Sequence, residues 1–152
     1  MASIVKHGSQ QLLVSTFLIQ DTLFGIDTMK VQEVIRIGDV TPVHHAPEYI
    51  VGIINLRGRI VTILDLGRKL ELFKLEIKPD SRIIIVEWQG EYVGFLVDGV
   101  SDVVDVERDK LGPPPSNVKG AQGRFFDGVY QSEGRRLISI LNIESVLSEK
   151  ES

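Results

Sequence analysis

The sequence predicts a mainly β protein, in which two small five-stranded barrels lie side by side with a few short helices. Three observations lead to this prediction. Apolar runs of strand length alternate with tight-turn signals, the 152-residue chain contains an internal repeat, and a sheet of four or five short strands protects its edges best by closing into a barrel. The absence of Cys excludes disulfides, thiolate metal sites and a cysteine nucleophile.

Seven short runs rich in Val, Ile, Leu and aromatic residues have the length and composition of β-strands. They cover residues 12–19, 23–26, 50–56, 60–64, 83–88, 92–97 and 137–141. Typical turn residues separate several of these runs, and we expect hairpins there. The turn candidates are Gln20-Asp21, Arg57-Gly58, Gln89-Gly90 and Glu133-Gly134.

Three segments, 27–35, 65–73 and 142–150, have apolar residues at helical spacing. Asp27 and Asp65 stand at the start of the first two, where an acidic side chain can cap a helix. These segments are therefore predicted to be short helices. The proline-rich stretch 112–117 is predicted to be a loop, because proline disrupts both helices and central strands.

The internal repeat is the most informative feature. When the chain is slid along itself, four positions match in order at one offset, together with one acidic pair, and further positions match at a slightly larger offset. The first set aligns Gln20 with Gln89, Gly25 with Gly94, Val31 with Val100, Glu33 with Asp102 and Val34 with Val103; the second aligns Gly52 with Gly128, Gly58 with Gly134 and Arg59 with Arg135. A slip by one more position aligns 63–66 with 140–143.

The repeat predicts how the chain is divided. We expect one domain over residues 1–152, with two sub-barrels of roughly 11–76 and 80–148 and a groove between them. The boundary falls near 74–80, where Lys78-Pro79-Asp80-Ser81 has the composition of a connector.

Catalytic chemistry finds no support in the sequence. The chain lacks the nucleophile, dinucleotide and phosphate-loop motifs. His44 and His45 are adjacent on an extended segment, so their side chains point to opposite sides and do not easily share a metal. The five acidic residues between Asp98 and Asp109, both included, are typical of a solvated face. We therefore predict no catalytic site, no metal and no cofactor.

Nucleic-acid binding is disfavoured by a net charge of -4 and the absence of a basic stripe. Residues 119–126 place basic residues and glycines beside Phe125-Phe126, in loose similarity to an RNA-binding strand motif. An aromatic core position at a strand entry explains these residues better, and a two-barrel nucleic-acid binder stays as an alternative.

The N-terminus lacks a secretory apolar segment, so we expect a cytoplasmic protein with no direct membrane insertion.

The turn at Asn55-Leu56-Arg57-Gly58-Arg59 is predicted to be a hairpin tip, where Asn and Gly accept positive φ angles. The equivalent turn of the second copy keeps Gly134 but carries Glu133 in place of Arg57. The turn therefore requires the glycine and not the arginine. Arg57 is either a solvated turn residue or a contact for a partner, because a guanidinium binds carboxylates and carbonyls well.

Several blocks of the sequence resemble the CheW family of bacterial chemotaxis coupling proteins. They are Lys30-Val31-Gln32-Glu33-Val34, Thr41-Pro42, residues 49–58 and 60–66, Val93-Gly94-Phe95-Leu96-Val97-Asp98-Gly99-Val100, Gly112-Pro113-Pro114-Pro115 and residues 137–147. The resemblance covers about residues 11–148, and its specificity comes from the N-L-R-G and V-D-x-V blocks together. Asn142 departs from the pattern, since the family often has Asp there.

The resemblance implies a single CheW-like domain of two SH3-like barrels without catalysis or cofactor. It also implies an adaptor that couples the cytoplasmic tips of chemoreceptors to the histidine kinase CheA, through the kinase's own CheW-like regulatory domain. Such an adaptor is cytoplasmic and recruited to membrane receptor arrays, where it also contacts other copies of itself in rings. An adaptor of another chemosensory pathway, for pili or development, is the nearest alternative.

The resemblance further implies two sets of binding residues. The residues expected to flank the receptor groove are Val31, Glu33, Val34, Asn55, Arg57, Val97 and Val100. Gly52 and the neighbouring strand face are expected to lie toward the kinase. A groove of valines can accept the apolar face of a helical hairpin, and the rim charges Glu33 and Arg57 set register more than affinity. For each of these valines, the alternative interpretation is that its side chain points inward and belongs to the barrel core.

Overall fold

The computed structural model describes residues 11–72, 74–113, 117–118, 121–132, 134 and 136–148. The described chain is mainly β, as predicted. Its strands are β1 (Gln11–Ile19), β2 (Thr22–Asp27), β3 (Val31–Arg36), β4 (Ile50–Leu56), β5 (Arg59–Asp65), β6 (Arg82–Trp88), β7 (Glu91–Val97), β8 (Gly99–Glu107), β9 (Asn117–Val118), β10 (Ala121–Gln122), β11 (Phe126–Gln131) and β12 (Leu137–Leu141). Two short helices, α1 (Leu66–Lys69) and α2 (Ile143–Leu147), and three single 3-10 turns, Thr28–Lys30, Arg108–Lys110 and Gly123–Phe125, complete it.

The strands form the two predicted five-stranded units. The first sheet has the strand order β11-β12-β2-β1-β8, and the second has the order β3-β6-β7-β5-β4. The remaining pair, β9 and β10, forms a two-stranded sheet. Among the described residues, no helix is long and apolar enough to cross a bilayer.

Each sheet draws its strands from both halves of the chain. The β1–β2 hairpin belongs with β8, β11 and β12, and the β6–β7 hairpin belongs with β3, β4 and β5. Parallel pairing of β2 with β12 and of β5 with β7 holds each exchanged hairpin in place. The prediction of sub-barrels at 11–76 and 80–148 is therefore wrong as a division of the sheets, because a repeat in sequence does not fix which copy a hairpin pairs with.

The strand registers reproduce the internal repeat. Phe17 of β1 pairs with Val100 of β8, and their equivalents in the other copy, Val86 of β6 and Val31 of β3, also pair. Both pairings carry a register shift at the same place, which marks a β-bulge in each copy. The repeat is thus a structural repeat, and each copy is a usable internal control for the other.

The predicted helix over 27–35 is wrong. The Asp27 carboxylate does accept a hydrogen bond from the Met29 amide at 3.0 Å, but the helical segment is one 3-10 turn, Thr28–Lys30. The chain then continues as strand β3, because its β-branched residues pair with β6. Long-range pairing outweighs the local helical spacing here.

Five strands of the described chain are missing from the seven predicted ones: β3, β8, β11 and the two-residue strands β9 and β10. The acidic residues of β8 fit its position at the edge of the first sheet, since edge strands commonly carry charges.

The segment 78–81 is a tight turn, as expected of a connector: the Lys78 amide donates to the Ser81 hydroxyl at 2.8 Å, and the Ser81 amide donates to the Lys78 carbonyl at 2.9 Å.

The two other predicted helices exist, although they are short. The Asp65 carboxylate caps α1 by accepting from the Arg68 amide at 3.1 Å. Asn142 caps α2 in the same way, accepting from the Ser145 amide at 2.8 Å. Residues 73, 114–116 and 149–150 lie outside the described part of the chain. These residues include the C-terminal ends of both predicted helices and much of the predicted proline-rich loop.

One hydrophobic core joins the two sheets. The larger cluster contains Phe17 and Phe24 of the first sheet together with Ile85 and Phe95 of the second, all fully buried. The Phe24 ring stacks on Phe17 at 5.8 Å, centroid to centroid. A smaller cluster fills the first sheet's own interior. Burying each such side chain stabilises the fold by roughly 1.5–3 kcal/mol, so the two barrels are expected to unfold as one unit.

Candidate functional site

The tip of the β4–β5 hairpin is built as predicted. Arg57 and Gly58 both have positive φ angles, 53° and 86°, as a type I′ turn requires. The Asn55 side-chain oxygen accepts a hydrogen bond from the Gly58 amide at 2.8 Å. Asn55 therefore acts on the turn itself. The predicted turn at 20–21 has the same signature, since Gln20 also has a positive φ of 53°.

Arg57 forms an ion pair and hydrogen bond with Glu33. Glu33 lies on β3 and Arg57 at the end of β4, and these two strands are the opposite edges of the second sheet. The pair therefore joins the two edges and helps to close the barrel. The idea that Arg57 is free for a partner needs correction, although 70% of the Arg57 side chain and 32% of the Glu33 side chain remain exposed.

The four predicted groove valines separate into two classes. Val34 and Val100 are 43% and 44% exposed, and Val31 is half-buried against the core. Val97 is fully buried, so its assignment to the groove is wrong. Val97 ends β7, and its side chain belongs to the large core cluster. Sequence alone does not distinguish the two classes, because alternate residues of a barrel strand point inward.

The structure adds two apolar residues that the sequence analysis missed. Val103 of β8 pairs with Ser15, which shares a face of β1 with Leu13, and Val100 lies beyond the bulge of the same strand. Leu13 is 51% exposed and Val103 is 58% exposed. We call Leu13, Val100 and Val103 the β1–β8 apolar face. The repeat contained a signal for Val103, which aligns with Val34.

Gly52 is buried and has a structural role. A Cβ atom at Gly52 would lie 2.3 Å from the Thr41 carbonyl oxygen. Thr41 lies alongside β4 and forms an antiparallel bridge with Ile53, in which the two residues exchange backbone hydrogen bonds of 2.9 and 2.8 Å. Gly128 is the equivalent of Gly52 in the repeat, and a Cβ atom there would lie 2.5 Å from the Gly112 carbonyl oxygen. Gly52 cannot itself present a contact surface.

A cleft of about 530 Å³ lies close to Gly52 along the chain, on the side expected to face the kinase. Ile50 and Val51 line it from β4, and Ile77, which is 57% exposed, lines it from the connector side. An ion pair between Arg68 and Glu48, with the closest atoms 2.6 Å apart, stands at its rim. The cleft therefore combines an apolar floor with charged margins.

Among the described residues, no three His, Asp or Glu side chains are grouped closely enough to hold a metal. The adjacent histidines lie in an exposed turn, where His45 has a positive φ of 62°. The surfaces described above can bind a protein by apolar contact and charge, and they contain no arrangement that resembles a nucleophile with its base.

Known proteins match this chain over most of its length. The sequence model of the family described as "CheW-like domain" matches residues 13–151. Chemotaxis protein CheW of Rhizobium meliloti is 32% identical, with 99% of this chain and 97% of that protein covered. Chemotaxis protein CheW of Thermotoga maritima is 33% identical over 90% and 87% of the two chains.

Two further matches extend the comparison. Protein FrzA of Myxococcus xanthus is 30% identical, with 86% of this chain and 82% of that protein covered. The crystal structure of the scaffolding protein TtCheW from Thermoanaerobacter tengcongensis superposes with a TM-score of 0.83 and 31% identity, over 93% of this chain and 90% of that one. On the sequence match and the shared fold together, the chain belongs to the CheW-like family.

Proposed function

We propose that this protein is a non-enzymatic adaptor that couples chemoreceptors to a CheA-type histidine kinase. The observation that carries the proposal is full-length similarity to proteins named chemotaxis protein CheW and to a solved scaffolding protein of the same fold. The β1–β8 apolar face and the cleft near Gly52 support it, since a protein that bridges two partners needs exposed binding surfaces and no catalytic pocket.

The receptor-facing surface is proposed to consist of the β1–β8 apolar face together with Val31 and Val34. The valines of this surface are repeat equivalents on β3 and β8, the edge strands of the two sheets. Apolar side chains on two such edges can receive the apolar side of a helical hairpin. Glu33 and Arg57, already paired, contribute charge at the end of β4 and affect register more than affinity.

The kinase-facing surface is proposed to be the cleft near Gly52. Ile50, Val51 and Ile77 supply its apolar contacts, and the Arg68–Glu48 pair supplies specificity at the rim. Gly52 acts indirectly, by leaving room for the segment at Thr41 to pair with β4. Copies of this chain are proposed to contact one another in array rings. The protein is proposed to be cytoplasmic and to be recruited to membrane receptors.

Recruitment of the kinase to receptor-bearing vesicles tests the proposal. The kinase should sediment with the vesicles only when this protein is added. Val100→Glu should weaken recruitment about tenfold, because it places a charge in an apolar contact. Leu137→Glu is the matched control, since Leu137 is 59% exposed outside the proposed surface. Equal sedimentation with and without the protein contradicts the bridging role.

A second candidate is an adaptor role in another chemosensory pathway. The similarity to protein FrzA, which has a different name from the other matches, favours this candidate. Binding to the separate CheA-type kinases of one organism distinguishes the two, because the cognate kinase should be captured and the others should not.

A further inference from the structure

A second exposed feature lies on the second sheet, where β5 and β7 begin side by side. These two strands are parallel neighbours. The Arg59 guanidinium lies 4.4 Å from the centroid of the Tyr92 ring, and the adjacent Ile60 is 58% exposed. We call Arg59, Ile60 and Tyr92 the Arg59–Tyr92 face.

Concave surface flanks this face on both sides. A cleft of about 360 Å³ is bounded by Arg59, Ile60 and Tyr92 together with the turn residue Gly90. A smaller cleft of about 190 Å³ shares Arg59 and Tyr92 and continues to the Glu33–Arg57 pair. The stacked Arg59 and Tyr92 side chains therefore form a ridge between two clefts, and the exposed Ile60 stands beside it.

Within the described part of the chain, the charges around the ridge leave Arg59 without an anionic partner. Glu33 is engaged by Arg57, and no described carboxylate pairs with Arg59. Glu91 lines the larger cleft without forming an ion pair to Arg59. A guanidinium stacked on an aromatic ring keeps its in-plane N–H groups available, and those groups fit a carboxylate with two parallel hydrogen bonds.

The internal repeat shows that this arrangement is specific to the second sheet. Ile60 pairs with Asn55, and Leu137 pairs with Gln131, which aligns with Asn55 at the same offset as Gly128 with Gly52. Leu137 is therefore the structural equivalent of Ile60 in the other copy, and it is equally exposed, at 59%. Tyr92 corresponds to Leu23, which is buried and offers no ring on which a cation can stack. An exposed aliphatic residue at this position is common to both copies, whereas the aromatic platform under an arginine is not.

We propose that the Arg59–Tyr92 face is a docking site for an acidic amphipathic helix of a partner protein. A carboxylate of that helix binds the in-plane edge of Arg59, and its apolar side covers Ile60 and the Tyr92 ring. Glu91 orients the partner by repelling acidic residues on its own side of the cleft. The site adjoins the Glu33–Arg57 end of the proposed receptor surface through the smaller cleft. It shares no residue with either proposed surface, and it does not depend on the adaptor function.

A titration of the isotope-labelled full chain followed by amide chemical shifts tests this site. The probe is a synthetic amphipathic helix with leucines along one side and glutamates flanking them, and its counterpart carries lysines in place of the glutamates. The glutamate peptide should shift the amides of Arg59, Ile60 and Tyr92, and the lysine peptide should bind about tenfold more weakly. High salt should weaken the binding of the glutamate peptide, because the contact is a surface ion pair.

Matched variants separate docking from a general charge effect. The double variant Arg59→Glu/Ile60→Ser should reduce peptide affinity about tenfold. The control Arg136→Glu/Leu137→Ser makes the same change of charge and apolarity in the first sheet and should leave affinity within about twofold. Equal binding of both peptides, shifts confined to other surfaces, or equal losses in both double variants would each overturn the proposal. Since neither kinase nor receptor is present, such a failure leaves the adaptor function untouched.

Discussion

Glu33 and Arg57 are 24 residues apart in sequence and form an ion pair between the two edge strands of one sheet. The family resemblance predicts that the same two residues contact a receptor. Their mutual contact gives each of them a role within the fold, and it changes how a substitution at either position must be interpreted.

Reversing one charge should have little effect on stability. Arg57→Glu replaces an exposed attraction by an exposed repulsion, and such pairs contribute about 0.2–1 kcal/mol. We expect thermal melting to show a loss of about 1 kcal/mol or less in the free energy of unfolding. A loss of several kcal/mol contradicts this assignment and identifies the ion pair as essential for barrel closure.

Swapping both charges separates the internal role from the binding role. Glu33→Arg/Arg57→Glu restores the internal pair with opposite polarity, and its melting temperature should return toward that of the unmodified protein. If the pair also contacts a receptor, receptor binding should stay weak in the swapped variant. Full recovery of binding together with stability shows that the charges serve only the fold.

Gly52→Ala should destabilise the protein by about 1–3 kcal/mol, since forcing an atom into occupied space shifts the surrounding backbone. Its Cβ would meet the Thr41 carbonyl at 2.3 Å. Gly38→Ala is the control, because nothing lies within 4 Å of a Cβ there. Urea unfolding of both variants measures the difference. If Gly52→Ala is as stable as the control, the pairing of Thr41 with β4 does not require glycine.

Phe24→Ala should destabilise the whole molecule by about 3–5 kcal/mol, because it leaves a cavity where the two sheets meet. The fluorescence of Trp88, which lies in the second sheet, and far-ultraviolet circular dichroism should report one coincident transition. Two separated transitions would show that the barrels fold independently and that the shared core is not the main connection between them.

ATP, magnesium or zinc should leave the melting temperature unchanged. A ligand that binds only the native state raises it by mass action, and the chain carries neither a phosphate loop nor a metal cluster within the described residues. Thermal scans at increasing ligand concentration make the measurement. A saturable rise with any of the three contradicts a purely non-enzymatic adaptor.

Much of this architecture is predictable because its signals are local. The hairpin tip at 57–58 follows from the residues that tolerate positive φ angles, and the core strands follow from their apolar runs. The exchange of hairpins between the sheets is not predictable in this way, since it depends on pairing across about half the chain. The prediction of a helix in place of strand β3 fails for the same reason, as the pairing of β3 with β6 outweighs its local spacing.

The candidate site is predictable only in part. Val34 and Val100 are exposed, whereas Val97 is buried, and the sequence does not separate these cases because alternate positions of a barrel strand face opposite sides of the sheet. The partner of Arg57 cannot be found in the sequence, since the contact with Glu33 arises from the curvature that brings the sheet edges together. In the second copy, Glu133 lies outside the described residues, so its comparison with Arg57 rests on sequence alone.

The activity of a CheA-type kinase in a reconstituted mixture with receptor fragments tests the adaptor function most directly. Adding this protein should raise kinase activity severalfold, and Val100→Glu should abolish most of the increase while melting like the unmodified protein. Leu137→Glu should activate as the unmodified protein does. If receptor-dependent kinase activity is the same with and without this protein, the chain does not couple receptors to the kinase.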